Sequence, residues 1–309
     1  MKQRNVRRAV NFTALVLAAG LLMGLLTGCP QSQPGNSKPQ TGNSEPQTGN
    51  FKPQGDTTIF KTDGYGRITG YTCTKEELPA ILVIPAKIGD EVITKIGGAA
   101  FDGCTGLTEV KLPASLTTID WNAFKDCTGL KSIDLSGCTS LTTIDWKAFK
   151  DCTGLTEVKL PASLTEIVEE AFEGCTGLKS IDLSGCTSLT KIGEETFKDC
   201  TGLKSIDLSG CTSLAKIGRY AFKGCMGLTE VKLPASLTEM GSYAFNGCTG
   251  LTSAVFADTN GWAVYGNEYY SGTPTPINSS ELATPATAAQ YLRELSSYGG
   301  YCDKYWKKN

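Results

Sequence analysis

From Leu107 to Gly250 the chain repeats itself six times, in units that begin at Leu107, Leu130, Leu155, Leu178, Leu203 and Leu228. The units are 23 or 25 residues long: the first reads LTEVKLPASLTTIDWNAFKDCTG, the second LKSIDLSGCTSLTTIDWKAFKDCTG. The two additional residues fall in one place, where LPASL of the short form becomes LSGCTSL. An insertion confined to one place marks a turn. A period of this length is the signature of a solenoid, in which one unit cannot bury its apolar face alone and stacked neighbours share a continuous core. A degenerate unit, ILVIPAKIGDEVITKIGGAAFDGCTG from Ile81, and a truncated one, LTSAVF from Leu251, flank the array.

The apolar spacing inside a unit predicts how it folds. Leu107, Val110 and Leu112 form an LxxLxL pattern, with Val110 and Leu112 inward and Glu109 and Lys111 outward, the period of two that belongs to a strand. Leu116, Ile119, Ala123, Phe124 and Cys127 complete the inward set. Stacked turns then give a parallel sheet along one face, with the AFKDCTG segments opposite it as short helical or irregular turns.

A solenoid exposes its core at both ends, so both ends need covers. Residues 57–103 supply an N-terminal cap and the degenerate first repeat, with TTIFKTDGYGRITGYTC predicted as a hairpin. Residues 257–309 hold seven of the eleven tyrosines and two of the four tryptophans. A helix is expected after Thr284, with Pro285 in its first turn, running through Ala288, Tyr291, Leu292 and Leu295. Trp262, Tyr265, Tyr291 and Trp306 are read as cap residues rather than as a separate binding module.

The phrases IPAKIGDEVITKIGGAAFDGCTGL and LTEVKLPASLTEI..EAFEGCTGL, with their recurring IGxxAFxxCxxL pattern, resemble the BspA-like class of leucine-rich repeats of bacterial surface proteins. The resemblance covers the chain from Thr57 to Phe256. It implies an α/β repeat fold, a leucine-rich-repeat solenoid with 104–256 as its repeats. It also implies a surface lipoprotein or secreted protein that binds host matrix proteins or other cells. Three turns depart from the pattern, with Asp120, Asp145 and Val168 where glycine usually follows isoleucine.

The N-terminus reads as an address. Residues 1–28 carry Lys2, Arg4, Arg7 and Arg8 ahead of an apolar run from Ala14 to Leu26, too short to span a bilayer and suited to a secretory signal. Leu26-Thr27-Gly28-Cys29 resembles a bacterial lipobox, which implies cleavage before Cys29 and acylation of its thiol. Residues 29–56 then form a disordered Pro/Gln/Gly/Asn tether with Pro39, Pro46 and Pro53 at a seven-residue period. Extended, it would reach on the order of 80 Å, and as a flexible coil roughly 30 Å. The expected location is the bacterial envelope, at the outer membrane facing the cell surface, with a periplasmic orientation as the alternative.

Composition removes several function classes. The chain has no histidine, so it builds no Ser-His-Asp or Cys-His nucleophile and no imidazole metal site, and no enzyme activity, cofactor or metal is expected. Without the four leader cations it holds 25 basic against 31 acidic residues, a net charge of −6, which disfavours nucleic acid. Of the thirteen cysteines, Cys104, Cys127, Cys152, Cys175, Cys200, Cys225 and Cys248 recur once per turn, and Cys138, Cys186 and Cys211 mark the long turns. Residues in register point in parallel rather than at each other, which favours a buried thiol column over disulfides.

Two surfaces are candidates for partner binding. The outward strand column runs Lys111, Asp134, Lys159, Asp182, Asp207, Lys232; mostly opposite neighbours make it a self-neutralised face or, alternatively, a charge pattern for a ligand. Trp121 and Trp146 occupy one column of consecutive turns, followed there by Glu169, Glu194, Arg219 and Ser242, and Tyr220 and Tyr243 repeat the arrangement one column on. The indoles are either an exposed patch for a protein or glycan, or a ladder in which each ring shields the other. The expected partners are host matrix proteins or other bacterial surfaces; an envelope scaffold without a host ligand is the alternative.

Overall fold

The structure, a computed structural model, describes residues 57–309; the leader, Cys29 and the tether lie outside the described residues. The repeats stack turn on turn, and each apolar column of the sequence becomes a column of the core. Leu107, Val110, Leu116, Ile119, Ala123, Phe124 and Cys127 are all buried, and Leu112 is half-buried. Phe101, Phe124, Phe149, Phe172, Phe197, Phe222 and Phe245 stack as one ladder, with ring centroids 5.0–5.5 Å apart.

The expected single sheet is in fact two parallel sheets. The LxxLxL strands pair as predicted, Ile81–Val83, Glu109–Lys111, Ser132–Asp134, Glu157–Lys159 and Ser180–Asp182 in one run, then Ser205–Asp207, Glu230–Leu233 and Ser253–Phe256 in another. A second, longer sheet forms around the inward isoleucines, from Lys95–Ile96 through Thr118–Ile119, Thr143–Ile144, Glu166–Ile167, Lys191–Ile192 and Lys216–Ile217 to Glu239–Met240. Each of these strands is two residues long, too short to display a period of two, and they become strands because extended backbones stacked in register bond to the turns on either side.

The AFKDCTG segments are irregular turns, as expected, and they reverse the chain with left-handed residues. Ala99, Asn122, Lys147, Glu170, Glu195, Tyr220 and Tyr243 form one column at φ 53–60°. In a second column the same conformation falls to Asp126, Asp151 and Asp199 or to Gly103, Gly174, Gly224 and Gly247, which accounts for the Asp/Gly alternation before each cysteine. From Gly129 onwards the glycine of the CTG is required by close approach: a Cβ at Gly177 would stand 2.4 Å from the Thr153 carbonyl oxygen of the preceding turn. At the departures from the glycine pattern the ladder is unbroken, since the amides of Asp120, Asp145 and Val168 donate to the preceding turn at 2.9–3.1 Å.

The cysteine column is a ladder of thiols. Cys127, Cys152, Cys175, Cys200, Cys225 and Cys248 each donate S–H to the carbonyl of the preceding turn's phenylalanine at 3.1–3.2 Å. All twelve described cysteines are free, and Cys302, whose sulfur accepts from Asn246, is buried in the cap. A reductant is therefore expected to leave circular dichroism and melting temperature unchanged; a large drop in melting temperature would show that the column is cross-linked.

Both ends are closed. Phe60–Thr62 and Arg67–Tyr71 form the antiparallel N-terminal hairpin and extend the longer sheet. At the other end Tyr305–Lys308 pairs antiparallel with Glu239–Met240 and with Trp262–Tyr265, burying Trp262, Tyr265 and Trp306 over the last turns. The helix spans Pro285–Arg293, ending before Leu295, and packs on Ser253–Phe256. Thr284 stands at its N-cap, but its hydroxyl bonds the Ser280 carbonyl instead of the helix amides.

Candidate binding surfaces

The two candidate columns lie on different sheets. The Lys/Asp column stands on the strands of the LxxLxL sheet, where Lys159 meets Asp134 at 3.4 Å and Lys232 meets Asp207 at 2.9 Å, while Lys111 pairs with Glu109 at 3.8 Å. Asp134, Asp182 and Asp207 each accept the backbone N–H and the hydroxyl of a serine two residues on. The Ser209 hydroxyl, with Lys232, holds the Asp207 carboxyl down at about 2. Asp182 has no cationic partner among the described residues. Where it faces Asp207, the LxxLxL sheet is interrupted, so like charges and two successive long turns coincide with the one break in its ladder.

The aromatic column follows the longer sheet. Trp121 is 49% and Trp146 40% exposed. Among the described residues the two indoles make no ring contact with each other, which overturns the self-shielding ladder. Trp121 packs against Gly98, whose missing Cβ would stand 2.3 Å from the ring. Trp146 is held by Lys147, whose ammonium lies 3.8 Å from the ring centroid, and donates its N–H to Glu170 at 3.3 Å. Tyr220 and Tyr243, in the left-handed column, do stack, with centroids 5.3 Å apart, and Lys223 and Arg219 lie over the Tyr220 ring.

Beside Trp146 runs an ion-pair network that repeat reading did not single out. Lys147 and Lys150 meet Glu170 at 3.3 and 2.7 Å, Lys150 also bonds Glu173, and Lys198 bridges Glu173 and Glu195 at 2.9 and 2.7 Å. Burial would raise the Glu170 carboxyl, but hydrogen bonds from Lys150 and Trp146 bring it down to about 2. Oxygens of Glu170, Glu173 and Glu195 lie within 4.8 Å of one another, the spacing of a cation site, and lysine ammonium groups already answer their charge. The network links the left-handed turns at Lys147, Glu170 and Glu195. Its signal in the sequence was Lys147, Glu170 and Glu195 in one column and Lys150, Glu173 and Lys198 three residues on in the next, legible only once the turns are known to place those columns side by side.

The sequence profile of the BspA-type leucine-rich repeat region matches residues 86–187 and 186–275, with six copies. The chain belongs to the BspA-type leucine-rich repeat family. As a BspA-type protein it is similar to a Treponema pallidum leucine-rich repeat protein at 26% identity, over 62% of this chain and 88% of that one, with a TM-score of 0.41. A leucine-rich cell surface protein of Faecalibacterium prausnitzii is 23% identical over 68% of this chain and 56% of its own length, also with a TM-score of 0.41. The functional domain of InlJ from Listeria monocytogenes, which includes a cysteine ladder, is 18% identical over 54% of this chain and 48% of that one, with a TM-score of 0.25. No curated protein matches.

Proposed function

We propose that this BspA-type solenoid is a non-enzymatic, membrane-anchored surface adhesin that binds host matrix proteins or other bacterial surfaces. The observation that carries the reading is the pair of half-exposed indoles, Trp121 and Trp146, fixed against Gly98 and between Lys147 and Glu170 on a rigid face. Rigid, exposed tryptophans give large contact area at small entropic cost, and such residues dominate interface energetics. Lipid at Cys29 and the tether would carry this face away from the membrane, toward matrix proteins, glycans or neighbouring cells.

Replacing both indoles, Trp121→Ala with Trp146→Ala, is expected to leave the fold intact and to cost about 2 kcal/mol of affinity for a matrix-protein ligand, roughly thirtyfold in Kd. Surface plasmon resonance against immobilised matrix proteins measures it. A charge swap, Lys159→Asp with Asp182→Lys, conserves net charge and tests the other sheet. If both variants bind as tightly as the parent, neither surface is the contact. Cys29→Ser is expected to abolish acylation and send the protein to the aqueous phase on detergent partition; retained lipid would defeat the anchoring. Resistance to protease on intact cells would favour an envelope scaffold over an adhesin.

A further inference from the structure

A cleft of about 180 Å³ opens where the solenoid meets its C-terminal cap. Its floor is the glycine column of the longer sheet at Gly218 and Gly241, where a side chain is forbidden because a Cβ would stand 2.6 and 2.4 Å from backbone of the preceding turn. The same column carries side chains at Asp120, Asp145 and Val168 and is glycine again at Gly193, Gly218 and Gly241, so successive bare turns lead up to the cap. The roof comes from the cap: Glu268 and Tyr270 from the loop after Tyr265, and Tyr305 from the closing strand. Tyr270 is held at φ 50°, a left-handed conformation uncommon for a large side chain, with Tyr265 and Tyr305 edge-on to its ring and Lys307 over it.

The polar lining is of mixed sign and partly unpaired. Lys216 meets Glu239 at 3.5 Å. Arg219 has no carboxylate within ion-pair distance among the described residues; its guanidinium carbon lies 5.2 Å from the Tyr220 ring and 6.0 Å from the Tyr305 ring. Glu194 and Glu268, also in the lining, likewise form no ion pair there. Free carboxylates oppose an anion such as phosphate, Arg219 and Lys216 oppose a cation, and the charges oppose an apolar guest. An uncharged polyol ring meets each group favourably: its hydroxyls donate to Glu194 and Glu268 and accept from Arg219, while a C–H face rests on a tyrosine ring. The volume, below that of sites for drug-sized ligands, suits one ring.

From this juxtaposition of a glycine floor, unpaired Arg219, Glu194 and Glu268, and Tyr305, we propose that the cleft is a subsite for one uncharged pyranose unit of a glycan. The site lies further along the column that begins with Trp121 and Trp146, over the C-terminal turns, and does not depend on protein binding at the indoles. Isothermal titration of the protein with maltotetraose, cellotetraose and tetra-N-acetylchitotetraose tests it. At least one is expected to bind with Kd on the order of 1 mM or tighter, and Arg219→Gln to weaken it roughly tenfold. Glu268→Gln, on an exposed loop residue with no ion pair to lose, is expected to weaken it several-fold, with melting temperatures of both variants near that of the parent. The proposal is overturned if none of the three binds at about 10 mM, if binding is unchanged in both variants, or if tetralysine binds and the saccharides do not.

Discussion

Raising the pH from 9 towards 11 is expected to unfold the protein cooperatively. Burial pushes the Cys138 and Cys186 thiols up to about 11 and Cys211 to about 12, and holds Cys152 and Cys175 well above the ordinary value of 9.0. The unfolded chain therefore releases these protons first, and above pH 9 it binds fewer protons than the fold. Stability from the thiols is fully present below pH 9 and falls as pH rises through the folded values. Each thiol that stays protonated in the fold withdraws about 1.4 kcal/mol per pH unit, so several acting together exhaust a stability of about 5–15 kcal/mol within two units. Thiolate absorbance and far-UV circular dichroism, followed together, should change in one transition. Thiolates that appear near pH 9 in an intact fold would show that the ladder is solvent-accessible and its hydrogen bonds to the phenylalanine carbonyls are dispensable.

Phe172→Ala is expected to cost about 3–5 kcal/mol and to lower the melting temperature by roughly 10 °C. Phe172 is fully buried and lies between Phe149 and Phe197, with centroids 5.2 and 5.5 Å away and planes within 5°. Its removal leaves a cavity that rigid turns on either side cannot close, and it breaks two ring contacts at once. Because each turn touches only its neighbours, hydrogen exchange should accelerate first around residues 149–197 rather than uniformly. Phe172→Leu, which keeps most of the volume, should lose less. A melting temperature within a degree or two of the parent would mean that the ladder is not a principal source of stability.

The inward columns were legible because they repeat: Leu107, Val110, Ile119, Phe124 and Cys127 recur at fixed offsets, and a residue type repeated down a stack must fit its own copy above and below. Trp262 and Trp306 stood out by composition, since they have no repeat column to join, and both are buried. The sheet through Ile119 and Ile144 was not, because two residues carry no period. Nor was the posture of the indoles: Trp121 and Trp146 share a column, but one packs against Gly98 and the other lies beside the Lys147 ammonium.

The amino-acid sequence by itself determined that the chain is a stacked-turn solenoid, where its turns begin, and which residues face inward, since these follow from the period of its apolar residues. Only the tertiary structure decided which exposed columns become neighbours. The left-handed turns at Lys147, Glu170 and Glu195 bring two columns into one ion-pair network, and the returning strand Tyr305–Lys308 sets Tyr305 and Tyr270 over the bare glycines of the last turns. Burial is decided residue by residue and leaves its mark on composition. The pairing of surface groups depends on backbone direction at each turn and on where a distant segment docks, which no local pattern encodes.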